Sequence, residues 1–318
     1  MLLQYAISAR NQYNMAIKER CNPLSPARAQ PIMFALITGC SGGIGKELAI
    51  AFAARGVTVL ATARSAESLC ELTSQYDNIE AFSLEASEIS SIERLRDAVF
   101  DRTGGRIDFL VNNAGTHYAS TALDLEIEEV MKLFQVNVFA VMHLCQIFIP
   151  LLRRSPRPRI VQIGSVTRQL PVVWQAPYNA SKAALSQYSK TLRLEMMPLG
   201  IEVIEIVTGF VQSNILHHGL HAPKSSLYLP IKTTVEDIKY RGNEGGKSPR
   251  EYAKSVVARL MQPKTNIEIW DGASASFIRF LVTLLPLWLL NCILFRRFRL
   301  HLVKASTGDQ DLIKDKTG

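Results

Sequence analysis

An apolar run, Phe34-Ala35-Leu36-Ile37, ends in Thr38-Gly39-Cys40-Ser41-Gly42-Gly43-Ile44-Gly45, and a helical pattern follows over residues 46–55. Few architectures accept a strand that turns through glycines directly into a helix. Gly39 permits the tight turn, Gly43 lets a ligand approach the backbone, and Gly45 lets the helix pack closely. Ser41 and Ile44 belong to the same loop and are counted with it. The first N–H groups of the helix have no partner within it and face outward, which suits a pyrophosphate.

The rest of the chain repeats this alternation. Further strands are expected at residues 57–61, 79–84, 107–111, 160–163, 201–207 and 267–270. Helical patterns lie between them, at 66–74 with Ser65 as cap, at 89–100, at 126–152, from Pro177 onward, and at 250–260 after Ser248-Pro249. The 126–152 helix is expected to bend or end near Pro150. Strands alternating with helices predict an α/β fold with a doubly wound, mainly parallel sheet, helices on both faces, and ligands across the carboxyl edge.

The candidate residues fall on that edge. Arg64 stands just beyond the second strand, where a ribose 2′ substituent would lie. An acidic residue there would bind the free hydroxyls of NAD, whereas an arginine favours a 2′-phosphate, so NADP(H) is the expected cofactor. Asn112-Asn113-Ala114-Gly115 ends the fourth strand; the small residues let a cofactor lie on the backbone, and either Asn112 or Asn113 ties strand edges together. Asn137 sits in an apolar setting where an unpaired amide is costly, and is expected to satisfy backbone groups or hold a water. Thr208, Gly209 and Val211 close the sixth strand near the nicotinamide end.

Residues 164–185 carry the proton chemistry. If Pro177 enters a helix, Tyr178 and Lys182 share one face, and Ser165 reaches the same pocket from a strand end. The ammonium is expected to lower the phenol pKa, which starts at about 10, while the serine hydroxyl holds a substrate carbonyl oxygen. Tyrosine and lysine at this spacing also describe an ordinary solvated helix face, so the motif gains meaning only from its neighbours.

A chain of 318 residues, 47% hydrophobic, can hold one large α/β domain or two small ones. The formal charge of +8 admits an anionic partner, but Arg153-Arg154, Arg157, Arg159 and Arg296-Arg297, Arg299 lack aromatic interleaving or zinc-finger spacing, so no nucleic-acid partner is expected. Five cysteines without CxxC spacing point to a reducing compartment and no metal site. His217, His218 and His221 lack a fourth ligand at useful spacing and are read as loop residues. No early segment has the form of a cleaved signal peptide.

Residues 1–31 are read as an N-terminal extension, 32–272 as the catalytic domain with a substrate lid at about 212–247, and 273–318 as an apolar tail with a polar end. The tail holds an uncharged run, 280–295, flanked by Arg279 and Arg296-Arg297 and interrupted by Pro286. It is shorter than the roughly 20 residues of an upright membrane helix. A peripheral lipid contact through 277–300 is expected, against a flap over the site or a dimer contact.

Taken together, Thr38-Gly39-x-x-x-Gly43-x-Gly45, Asn112 to Gly115, Asn137, Ser165 and Tyr178-x-x-x-Lys182 resemble the classical short-chain dehydrogenase/reductase family over roughly residues 34–271. The resemblance implies a Rossmann-type sheet of seven strands, NADP(H), homodimers or homotetramers, and a catalytic set of Asn137, Ser165, Tyr178 and Lys182. It implies hydride transfer from NADPH to a small-molecule carbonyl, with Tyr178 giving the proton and Lys182 binding the nicotinamide ribose. Finer texture, including the apolar tail, resembles fungal NADPH-dependent 1-acyldihydroxyacetone-phosphate reductases. That implies a lipid-like or other apolar ketone and the cytoplasmic face of an intracellular membrane, such as endoplasmic reticulum or lipid droplet, with the soluble cytoplasm as the other location. A steroid or polyketide-derived substrate, or a silent cofactor-binding membrane protein, are the alternatives. Two departures stand out: Glu85-Ala86 replaces the family's Asp-Val pair, and Thr208-Gly209 its Pro-Gly.

Overall fold

The computed structural model describes residues 32–213 and 219–303; the N-terminal extension, His217, His218 and residues 304–318 lie outside the described residues. Seven parallel strands form one sheet: β1 (Phe34–Ile37), β2 (Thr58–Ala63), β3 (Ile79–Ser83), β4 (Phe109–Asn112), β5 (Arg159–Ser165), β6 (Glu202–Thr208) and β7 (Glu268–Asp271). Their order is β3-β2-β1-β4-β5-β6-β7. The chain winds outward from β1 to β3, then crosses back to β4. The β1/β4 boundary is therefore the switch point at which open parallel sheets bind ligands.

The strands are short apolar runs because both of their faces are covered; β1, β4 and β5 are buried at every residue. On one face, α1 (Gly43–Ala53) and α8 (Pro249–Leu260) pack Phe52 and Tyr252 against Ile37 and Val59. Opposite, α3 (Ile89–Thr103), α5 (Ala140–Leu152) and α6 (Ala176–Met196) pack Leu95, Phe148 and Leu185 against Leu36 and Leu110. Each such side chain contributes about 1.5–3 kcal/mol through burial. The short α2 (Cys70–Gln75) follows β2. Before it, the Ser65 hydroxyl bonds the Glu67 carboxylate instead of capping backbone as expected.

The long helix differs from expectation in one respect. It ends at Leu152, two residues past Pro150, as expected, but it also carries an irregularity earlier, where α4 (Ile127–Phe134) passes into a π-helical stretch at Gln135–Phe139 before α5. This stretch contains Asn137. By length and composition alone, residues 127–152 would cross a membrane, but half of their apolar window is buried inside the fold.

The lid and tail are more ordered than their weak periodicity suggests. Inside the lid lies α7 (Lys232–Glu244), and the tail's uncharged run divides at Pro286 into α9 (Ala275–Leu284) and α10 (Leu287–Arg297). Trp174, Ile231, Val235 and Phe298 bury one another, so the tail packs on the lid. Its outer face leaves Phe277, Phe280, Leu284, Leu287 and Trp288 each more than half exposed.

Candidate active site

The loop after β1 is tied to the loop after β4 by paired bonds. Thr38 Oγ1 accepts from the backbone N–H of Asn113 (3.0 Å) and Ala114 (2.9 Å). In return, Asn113 Nδ2 donates to the carbonyls of Thr38 (2.9 Å) and Gly39 (3.0 Å). Asn112 serves the next junction, donating to Gln162 Oε1 on β5 at 3.0 Å. Both asparagines thus tie strands. Gly39 has φ +74°, and a Cβ there would lie 2.9 Å from Ala114 Cα; a Cβ on Gly45 would run into the Gly39 carbonyl and sit 2.6 Å from Asn113 Nδ2. The helix start is pressed against the switch point by the absence of those side chains.

No side chain caps α1, and its first turn holds no acidic residue. Ser41, Gly42 and Gly43 are exposed there. An open helix N-terminus of this kind carries partial positive charge and bare N–H groups. Together with Ile44, Gly45 and the exposed Arg64 they line one end of a cleft of about 1670 Å³. Glu85 and Ala86 line it as well; bonds from the Ser87 hydroxyl and N–H hold the Glu85 carboxyl below its ordinary range.

Asn113, Ala114, Gly115, Ser165, Tyr178, Lys182, Thr208, Gly209 and Val211 line the same cleft. Ser165 ends β5, and its Oγ accepts from the Thr167 N–H (3.2 Å) and hydroxyl (3.0 Å). Tyr178 lies in the first turn of α6, one residue after Pro177. Lys182, 7% exposed, donates to the Ile163 carbonyl at 3.0 Å, with Nζ 5.8 Å from the Tyr178 ring centre.

The electrostatics correct one expectation. Burial pushes the Tyr178 phenol up to about 12, and only the Ser165 hydrogen bond opposes it. Burial pulls Lys182 down to about 8, against Glu205. Desolvation of both groups outweighs their mutual attraction, so the ammonium does not lower the phenol in the open cleft.

Asn137 does not line the cleft. It is 1% exposed and sits behind the wall, where Oδ1 accepts from Thr116 N–H (2.8 Å) and Nδ2 donates to Thr116 O (3.0 Å) and Ser181 Oγ (3.1 Å). The amide holds the backbone just past Gly115. A Cβ on Gly115 would stand 3.3 Å from Asn137 Oδ1 and 3.9 Å from Lys182 Nζ, which places both groups beside the same bare backbone.

Several residues escaped the sequence reading. His117 is buried with its ring 4.7 Å from that of Tyr178. Arg168, in the turn after Ser165, pairs with buried Glu205 and with Glu268 at 2.9 Å, and donates to Ser186 on α6 at 3.0 Å. Trp174, buried at φ +66°, donates to the His221 carbonyl at 2.8 Å and so ties the lid at that residue. His221 itself stands 3.2 Å from Glu126. Among the described residues, no group of three His, Cys, Asp or Glu is placed to hold a metal. Cys40 and Cys145 are buried free thiols, raised by burial to about 12 and about 11, and Cys70 and Cys292 are exposed free thiols.

Residues 33–222 match the family model described as short chain dehydrogenase. The chain is 37% identical over 274 residues to the short-chain dehydrogenase virD of Hypocrea virens, covering 85% of this chain and 94% of that one. It is 38% identical over 209 residues to the NADPH-dependent 1-acyldihydroxyacetone phosphate reductase of Schizosaccharomyces pombe, covering 64% and 70%. A crystal structure of a short-chain dehydrogenase from Streptomyces avermitilis superimposes with a TM-score of 0.71 at 30% identity, over 79% of this chain and 92% of the other.

Proposed function

The chain belongs to the short-chain dehydrogenase family, and from that membership we propose that it is an NADP(H)-dependent oxidoreductase that reduces a ketone on a lipid-like or other apolar substrate. One observation carries the proposal: a single cleft joins an uncapped helix N-terminus and Arg64, the Ser165-Tyr178-Lys182 group, and apolar walls from α7 and α10.

The residues present fit the cofactor. The bare cradle at Gly42-Gly43, with no carboxylate in the first turn of α1, suits a pyrophosphate, and the Arg64 guanidinium suits a 2′-phosphate. When bound, NADPH supplies the hydride. Tyr178, neutral far above physiological pH, holds the proton that a developing alkoxide takes. Ser165 Oγ, accepting two bonds from Thr167, keeps its single proton for the phenol oxygen, or for a carbonyl oxygen once substrate is bound. Lys182, anchored by the Ile163 carbonyl, places positive charge beside this proton path, and Asn137 fixes the wall behind it. Similarity to the NADPH-dependent 1-acyldihydroxyacetone phosphate reductase of Schizosaccharomyces pombe supports the substrate class.

The tail supports a peripheral membrane contact on the cytoplasmic side of an intracellular membrane. Phe280, Leu284, Leu287 and Trp288 are exposed apolar side chains flanked in sequence by Arg279 and Arg296, the composition that seats a helix in a lipid interface. Full-length protein is expected to pellet with anionic vesicles, and Leu287→Ser/Trp288→Ser to remain in the supernatant; equal pelleting removes the contact.

NADPH oxidation screened over acyl-dihydroxyacetone phosphate, steroid and aromatic ketones tests the activity, and turnover of none of them overturns it. Arg64→Asp tests the cofactor assignment. Loss of a charge-assisted bond, with a carboxylate in its place, is expected to reduce the NADPH-to-NADH ratio of kcat/KM by about 10- to 100-fold. An unchanged ratio takes Arg64 out of the site.

A further inference from the structure

Where α7 and α10 line the cleft, apolar Val235, Ile238, Leu294 and Phe298 stand beside cationic side chains. Lys239 and Arg241 on α7 and Arg297 at the end of α10 all line it. Arg241 and Arg297 also line a smaller cavity of about 180 Å³, with Arg299, Thr234, Asp237 and Ile238. The two arginines therefore stand at the seam between both spaces. Asp237, 3.7 Å from Arg241 in an exposed pair, is the sole carboxylate among the described residues of that smaller cavity, facing three guanidiniums.

The backbone contributes to this convergence. Residues two apart on a helix point to different sides, so Arg297 and Arg299 would diverge if α10 continued. The helix instead stops at Arg297, and Arg299 takes a left-handed conformation at φ +52°, ψ +37°, uncommon for a residue with a side chain. Both residues then line one cavity. The packing beneath fixes the seam, because Val235 and Ile238 of α7 share a hydrophobic cluster with Leu294 and Phe298 of the tail. Lys239, 6% exposed, stands on the cleft side of the same helix, where burial lowers its pKa against the charge of Glu236.

Resting on the ketone-reductase reading, we infer that the substrate is an amphiphile with an anionic group, a phosphate or carboxylate, which Arg241 and Arg297 bind at the α7/α10 seam. Guanidinium groups match such anions with two parallel bonds each. The apolar walls take the chain that links this anion to the ketone. Specificity then comes jointly from the lid and the tail.

The test uses the full-length protein and matched probes: a keto-alkyl phosphate and a keto-fatty acid, each against the keto-alcohol of equal length. The parent is expected to prefer the anionic probes by about 10-fold or more in kcat/KM, through KM, and Arg241→Gln/Arg297→Gln to bring the ratio near one. Arg297→Lys, which keeps charge without the planar fork, is expected to fall between. Calorimetric binding of an alkyl phosphate and the corresponding alcohol to the NADP⁺-loaded protein reads the same preference without turnover. Equal affinity of the parent for both overturns the inference. Turnover of no probe alongside selective binding of the alkyl phosphate overturns the reductase reading and upholds the anion site. Vesicle pelleting separates a substrate anion from a lipid headgroup. If Arg241→Gln/Arg297→Gln loses anionic vesicles while keeping the parent's probe selectivity, the arginines serve the membrane and the inference fails.

Discussion

Tyr178→Phe is expected to lower ketone turnover by on the order of 10²- to 10⁴-fold, the usual contribution of a positioned general acid, while NADPH affinity stays close to the parent's. Phenylalanine fills the same volume and keeps the ring contact with His117, so the first turn of α6 is undisturbed. What disappears is the proton at the phenol oxygen. Parent-like turnover in single-turnover assays would remove Tyr178 from the chemistry. The pH profile adds a second readout. With Tyr178 protonated to about 12 and Lys182 charged only to about 8 in the open cleft, kcat/KM for reduction is expected to fall as pH rises through about 8. That limb belongs to loss of the ammonium. Tyr178→Phe is expected to retain it in its residual activity, since Lys182 is untouched.

Arg168→Ala is expected to be the most destabilising single change near the site. The Arg168 side chain is 4% exposed and that of Glu205 is 0% exposed, so removing the guanidinium strands a carboxylate in the interior. Breaking such a pair costs about 3–5 kcal/mol. Glu205 already sits above the ordinary carboxylate range because burial outweighs Arg168 and Ser186. A folded-state pKa above the unfolded one means that the folded chain binds the extra proton. The penalty is therefore small below the unfolded pKa and grows as pH rises through the folded value. Denaturant melts of Arg168→Ala at mildly acidic and neutral pH should show the larger loss at neutral pH, and Arg168→Ala/Glu205→Gln should recover part of it. A loss below 1 kcal/mol at both pH values would show that water screens the pair. Because Arg168 bonds Ser186 on α6 and follows Ser165 by three residues, the variant is also expected to loosen the alignment of serine with tyrosine.

The sheet was legible because its strands are buried on both faces and each therefore appears as a short apolar run ending in small or polar residues. The cradle was legible for a related reason: glycine at Gly39 and Gly45 is required by contacts that any Cβ would violate. What escaped depends on distance along the chain. Arg168, Glu205 and Glu268 are ordinary charges until β5, β6 and β7 lie side by side. The helix inside the lid was missed because few of its residues face the interior, Val235 and Lys239 being the buried ones. The phenol's shift was read with the wrong sign because spacing reports which groups are near one another, whereas desolvation depends on everything around them. The tail divided at Pro286 as its composition allowed, yet its two-sided use, packed within and apolar without, needed the lid as a partner.

The π-helical stretch at Gln135–Phe139 holds one residue more per turn than the helices on either side. It behaves as an insertion that the fold has absorbed. Deleting one residue there would let an ordinary helix run unbroken from α4 into α5, improving local geometry. Because the wider turn has already taken up the extra residue, the helices on either side would keep their facing, and the change would fall on Gln135–Phe139 itself. Leu144 and Phe148 would stay in the core, whereas Asn137, inside the wide turn, would be drawn away from Thr116 and Ser181. The wide turn thus serves the site and not the core: it is the spare residue that lets the Asn137 amide reach the Thr116 backbone while the helix on either side packs as an ordinary one.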